Sequence, residues 1–180
     1  AFSCHLLKST LSNVHPHQLD YYSETSVKQA ANMVAKASPV DVVVVATGIL
    51  HTDTLMPEKS LQEISSENFL QLFQANTILP AIVAKHFIPK LNKKNKSIFA
   101  ILSARVGSIS DNRLGGWYAY RASKAALNMI IRNAAIETAR SNKSAVIVGL
   151  HPGTVDSELS RPFQKNVPDS QLFTPEHSVQ

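Results

Sequence analysis

The chain has 180 residues, 44% of them hydrophobic and 17% charged, which excludes intrinsic disorder and describes one ordinary domain with a sizeable core. No apolar run approaches the roughly 20 residues that span a bilayer and no signal peptide is visible, so a cytoplasmic, non-membrane protein is expected. The single cysteine, Cys4, excludes an internal disulfide framework, and the net charge of +5 raises nucleic acid as a partner. That partner is not expected, because the basic residues form no stripe with interleaved aromatics. Their one cluster, Lys90, Lys93, Lys94 and Lys96, stands where a helix ends and complements its dipole. The Asn-Lys-Ser triplets at Asn95 and Asn142 then read as chance sequons.

In chain order, Ala1 to His5 reads as the end of a strand and Leu6 to His17 as a polar loop. His15-Pro16-His17 has no carboxylate or cysteine at ligand spacing, so no metal is expected. Gln18 to Tyr22 reads as a short strand ending at Asp20. Glu24 to Ala37 has helical spacing, with Val27, Ala30, Ala31, Val34 and Ala35 as its apolar stripe. Val40 to Gly48 is almost wholly β-branched and apolar, the pattern of a parallel strand buried on both faces. A long polar connection, His51 to Ser65, leads into a helix from Glu67 to Leu91, which Pro80 should bend or interrupt near Asn76. Ser97 to Leu102 is a buried strand. A helix rich in small residues follows Gly115-Gly116 and runs to about Asn142, and Ser144 to Leu150 is the next strand. Both ends read as cut: the first residue is Ala1, and the helix opened by Thr174-Pro175-Glu176 has barely begun at Gln180.

Strands alternating with helices predict an open α/β sheet with right-handed crossovers, whose ligands bind beyond the carboxyl ends of the strands. Those ends are Asp20, Ala46-Thr47-Gly48, Ser103 and Pro152-Gly153, where the sequence turns polar or glycine-bearing. Near them, Tyr120 and Lys124 are four residues apart, one turn apart on one helical face. A free phenol, with a pKa of about 10, is a poor acid or base at neutral pH, and a neighbouring ammonium is expected to lower it into working range. Tyrosine and lysine at this spacing also occur by chance on many helices.

With these residues the chain resembles the short-chain dehydrogenase/reductase family, closest to its small-carbonyl-reductase and C-factor-like branch. Tyr120-x-x-x-Lys124, with Ser123 before the lysine, matches the family's catalytic motif. Val45-Ala46-Thr47-Gly48 stands at its Asn-Asn-Ala-Gly turn and keeps only the glycine. Asn76 falls at the helix asparagine of its proton relay, and Asp20 at the acidic residue that contacts adenine. Pro152-Gly153-Thr154-Val155 resembles the loop closing over the nicotinamide, with Ser157 where a threonine is common. Asn76 can equally fill the gap made by the Pro80 bend, and Asp20 can equally shape a turn.

The resemblance implies a Rossmann-like, doubly wound parallel sheet in three αβα layers, residues 1–180 being a single truncated domain without the first βα unit and the C-terminal elements. It implies hydride transfer between NAD or NADP and a small carbonyl or alcohol, and a homodimer or homotetramer. Tyr120 would protonate the carbonyl oxygen and Lys124 would hold the ribose hydroxyls, while a serine polarises the carbonyl. Two departures stand out. The serine position is Ala104, in Ala104-Arg105-Val106-Gly107, so the adjacent Ser103 is taken as the catalytic serine; Ser108 and Ser110 lie further along. Only six glycines occur and none builds a Gly-rich dinucleotide loop, which would therefore precede Ala1. A non-catalytic relative acting in signalling or protein association is the alternative. Trp117, Tyr118 and Leu159 are candidates for the substrate pocket or for core packing.

Overall fold

The structure, a computed structural model, describes residues 1–5 and 8–180; the part of the expected polar loop at positions 6 and 7 lies outside the described residues. Strand β1 (Phe2–Ser3) pairs in parallel with β2 (His17–Gln18), which ends two residues before Asp20. Helix α1 (Glu24–Ala37) follows, its N-cap Ser23 accepting a hydrogen bond from the Ser26 N–H, and buries Val27, Ala30 and Ala31 of the expected stripe. Strands β3 (Val42–Val45), β4 (Ser97–Leu102) and β5 (Ala145–Leu150) make a three-stranded parallel ladder in the order β3-β4-β5. Helix α4 (Tyr118–Ala139) links β4 to β5, ending three residues before the expected Asn142. Beyond β5, β6 (Thr154–Val155) pairs with β7 (Leu172–Phe173), and the one-turn helix α5 (Pro175–Ser178) closes the chain.

Between β3 and β4 the long helix is interrupted where Pro80 requires it. Helix α2 (Ser66–Phe73) passes through a π-turn at Gln74–Ile78 into α3 (Leu79–Phe87). Proline has no N–H for the carbonyl four residues back, which is that of Asn76. The Leu79 N–H instead reaches the Gln74 carbonyl, five residues back. The wider turn buries Ala75, Asn76 and Thr77 together.

One apolar core holds the layers together. Val27 and Ala31 of α1, Leu79 and Val83 of α3, and Leu127 and Ile131 of α4 all pack on one sheet face with Val45, Phe99 and Ile101. Phe2 and Leu19 join this core, tying the β1-β2 ladder to the larger sheet. The opposite face differs from the expectation of two-sided burial. Val42 and Val44 are 59% and 57% exposed, and the register aligns them with Ile98 and Ala100 of β4, then Val146 and Val148 of β5. Alternate residues of a strand point to opposite faces. Of the αβα arrangement, the described residues supply the sheet and one helical layer.

The loop after β4 is pressed against α4 at Gly107, which is buried. A Cβ there would lie 2.8 Å from the Lys124 backbone carbon and 2.9 Å from the Asn128 side chain. Backbone cannot give way as a side chain does, so Gly107→Ala is expected to cost about 1–3 kcal/mol through overpacking. A lower urea midpoint at unchanged m-value is the expected observation; an unchanged midpoint contradicts this packing.

Candidate active site

Four segments converge at the carboxyl end of β3 and β4, and Asn76 joins three of them. Its side chain is fully buried. Oδ1 accepts from the Ile49 N–H at 2.8 Å, while Nδ2 donates to the Ile49 carbonyl at 2.8 Å and to Ser123 Oγ at 3.3 Å. The neighbouring Thr77 hydroxyl donates to the Ser123 carbonyl at 2.8 Å, and Ser123 Oγ donates to the Tyr120 carbonyl at 2.8 Å. The π-turn thus grips the loop after β3 with one side chain and the first turns of α4 with two.

Lys124 stands one turn along α4 from Tyr120, buried. Its ammonium donates to the Leu102 carbonyl at the end of β4, at 3.0 Å, and lies 5.9 Å from the centroid of the Tyr120 ring. Gly48 stands beside it: a Cβ there would come within 3.1 Å of Asn76 Oδ1 and 3.5 Å of Lys124 Nζ. Burial disfavours the charged form of each group. It pushes the Tyr120 phenol up to about 12 and the Lys124 amine down to about 8. This corrects the expectation of an acidified phenol. Desolvation outweighs the lysine's charge, and that ammonium is committed to a backbone carbonyl rather than to the hydroxyl.

The remaining expected residues are distributed as follows. Ala46, Thr47 and Gly48 lie directly after β3, and Thr47 Oγ1 is buried without a hydrogen-bond partner. Pro152-Gly153-Thr154-Val155 follows β5, with Gly153 at φ +78° and its missing Cβ directed into the Phe173 ring. Asp20 is exposed, and its Oδ1 accepts from the Tyr22 N–H at 2.9 Å, the turn-shaping arrangement. Ser103 is not brought to Tyr120. Its hydroxyl donates to Asn128 Oδ1 at 2.6 Å and its Cβ faces Gly149, whereas Ala104 packs against the apolar cluster that contains Tyr120. Adjacent residues at a strand end point to opposite sides, and it is Ala104, not Ser103, that faces this cluster. Ser108 and Ser110 contact each other further out, and Ser157 supplies its N–H to Ser160 Oγ.

Of the pocket candidates, Trp117 meets the Tyr120 ring edge-on at 6.2 Å and the Phe163 ring at 4.9 Å. Tyr118 is half-buried and Leu159 exposed. Phe163 and Glu58 are site neighbours that sequence reasoning missed. Phe163 sits in a polar stretch with no periodicity, and Met56-Pro57-Glu58-Lys59 has the composition of a solvent loop.

Comparison with known proteins places the chain in a family. Residues 4–168 match the family model for short chain dehydrogenases, and the chain belongs to that family. A 1-hydroxy-2-glutathionyl-2-methyl-3-butene dehydrogenase of Rhodococcus sp. is 30% identical over 162 residues, 89% of this chain and 66% of that protein. The C-signal protein of Myxococcus xanthus is 34% identical over 103 residues, 57% of this chain and 61% of its own length, in keeping with a C-factor-like branch. An NADPH-bound carbonyl reductase from chicken fatty liver superposes with a TM-score of 0.76 at 25% identity, over 93% of this chain and 67% of that one. The chain therefore spans about two thirds of the length of these relatives.

The buried amine makes a pH-dependent prediction. The folded value for Lys124 lies below the ordinary 10.5, so the unfolded chain binds more protons between about pH 8 and 10.5. Stability from this group therefore rises with pH across that window; the raised Tyr120 value works in the opposite sense only above about pH 10. The thermal midpoint of the wild type, relative to Lys124→Met, is expected to increase from about pH 7.5 to about pH 9.5. A difference that stays flat over this range contradicts the burial of an ionisable amine.

Proposed function

We propose that the chain carries the catalytic centre of an NAD(P)-dependent oxidoreductase that interconverts a small carbonyl and an alcohol, with Tyr120 as the general acid and base. The observation that carries this reading is the convergence of Tyr120, Lys124, Gly48 and Asn76 at the carboxyl edge of a parallel sheet, where α/β folds bind ligands. The residues present fit the sugar end of a dinucleotide. Lys124 has three N–H donors and uses one on Leu102, Gly48 stands against its nitrogen with no side chain, and the hydroxyl of the preceding Thr47 is buried without a partner. Bound nicotinamide supplies or accepts the hydride.

The chain's own residues do the rest. Lys124 and Thr47 would hold the sugar hydroxyls, and the Pro152–Val155 loop would lie over the nicotinamide. In reduction, Tyr120 gives its proton to the carbonyl oxygen as negative charge develops there; burial keeps the phenol in its protonated form at neutral pH. The side chains packed with it, Leu50, Leu55, Leu72, Ala104, Trp117 and Phe163, are apolar, which suits an uncharged substrate. Asn76 positions Gly48-Ile49, and its backbone carbonyl, which Pro80 cannot serve with an N–H, would take the relay water. Asp20 retains the adenine role as part of this proposal. Exposed Leu70, Ile78, Met129 and Ile136 on α2, the π-turn and α4 support pairing of two or four copies through these helices.

Ala104 favours a second reading, a non-catalytic relative, because the side chain facing Tyr120's cluster has no hydroxyl to polarise a carbonyl. The two readings separate in one assay, oxidation of NADPH and of NADH with a panel of aldehydes and ketones. The enzyme reading expects turnover that Tyr120→Phe lowers by at least about 10²-fold with cofactor binding retained. It also expects Ala104→Ser to raise kcat by about tenfold by restoring one donor. Tight cofactor binding without turnover in either the wild type or Ala104→Ser selects the second reading.

A further inference from the structure

Helix α4 begins in an unusual way. Its N-cap, Trp117, lies at φ 52° and ψ 44°, and its side chain makes no capping bond. Indole has a donor but no acceptor, so it cannot serve the orphan N–H groups of a first turn. Gly115 and Gly116 before it are also left-handed, at φ +65° and +61°. Glycine tolerates that conformation, whereas tryptophan is strained in it and persists only where the surroundings enforce it.

The enforcing group is Glu58, in the connection between β3 and α2. Its backbone carbonyl accepts from the Trp117 N–H, and its carboxylate Oε2 accepts from the Ala119 N–H at 3.2 Å. A Cβ on Gly116 would lie 3.3 Å from that same carbonyl, which explains a glycine at the point of closest approach. Arg121 completes the collar, donating from Nε to the Gly115 and Gly116 carbonyls at 3.2 and 3.0 Å. Glu58 is 2% exposed, its Oε1 is buried without a partner, and among the described residues no cation pairs with it. A carboxylate is costly in such a place unless something of opposite sign faces it. Here that is the positive end of α4, through a charge-assisted hydrogen bond to its first turn.

We propose that Glu58 is a positioning residue for Tyr120, capping α4 from a distant loop and holding the strained Trp117 turn that orients the phenol. The route is short: Glu58 fixes the N–H groups of Trp117 and Ala119, and the Trp117 indole lies edge-on against the Tyr120 ring. Its kinetic consequence rests on the reading of Tyr120 as the acid–base group. Its structural consequence does not.

Trp117 is the chain's single tryptophan, so its fluorescence reports on this turn alone. Wild type, Glu58→Gln and Glu58→Ala are compared by emission maximum, acrylamide quenching and steady-state kinetics. Glu58→Ala is expected to shift Trp117 emission to the red and raise its quenching. It is expected to lower kcat by about 10²-fold, the scale of a small misplacement of a catalytic group, while the NADPH KM stays within about twofold. Glu58→Gln keeps an acceptor for the Ala119 N–H and is expected to recover most of both losses. Emission and quenching equal to wild type in Glu58→Ala overturn the proposal. So does a Glu58→Gln protein whose Trp117 is released despite the retained acceptor, a result that also decides the matter if Glu58→Ala does not fold. A wild type that reduces no carbonyl removes the reading of Tyr120 instead, and the fluorescence comparison still judges the cap.

Discussion

A single carboxamide with no access to water governs how this site is built. Asn76 satisfies three of its hydrogen-bonding capacities on groups from two other segments, two of them on the backbone of Ile49. In a dry interior an amide left unpaired costs roughly 1–3 kcal/mol, so each partner is held as firmly as the amide itself. The amide reaches them because α2 and α3 are not one continuous α-helix. A π-turn in front of Pro80 widens the backbone there and buries Ala75, Asn76 and Thr77 side by side. A proline that would be a defect in an exposed helix is here the reason a polar residue faces the core.

Much of the architecture was legible, for reasons specific to particular residues. Val27, Ala30 and Ala31 announce the buried face of α1 by spacing alone, and Pro80 announces the break near Asn76 by its chemistry. The motif pair Tyr120 and Lys124 was readable because four residues on a helix make one turn. What the helix period cannot convey is what lies across from a residue. Ser103 and Ala104 are neighbours in sequence, yet one faces Asn128 and the other the Tyr120 cluster, and only the end geometry of β4 decides which. Glu58 was illegible for a related reason: in sequence it is a charge in a polar loop, and only the fold brings Ala119 to it.

The strand from Val42 to Val45 shows a different gap between pattern and structure. Its unbroken β-branched composition reads as cover on both faces, and Val43 and Val45 do pack on the helical layer. Val42 and Val44 stay exposed because α1, α3 and α4 all lie on the other side. Composition records the environment a strand is suited to, whereas exposure records only what the described residues place against it. The two agree on one face and differ on the other, without either being misread.

The phenol and the ammonium are where two opposing effects meet, and their magnitudes decide between them. A neighbouring positive charge favours phenolate, while removal from water disfavours every charged form. Spacing in sequence reveals the first effect and is silent on the second, which is why an acidified tyrosine was the natural expectation. In the fold, burial moves both groups toward their neutral forms, the tyrosine up to about 12 and the lysine down to about 8. A shift of two units corresponds to about 2.7 kcal/mol. The lysine is held instead by the Leu102 carbonyl, which anchors its nitrogen beside Gly48 whatever its protonation state. Spacing in sequence thus names the pair, while solvent exclusion around α4's first turns favours the neutral form of each.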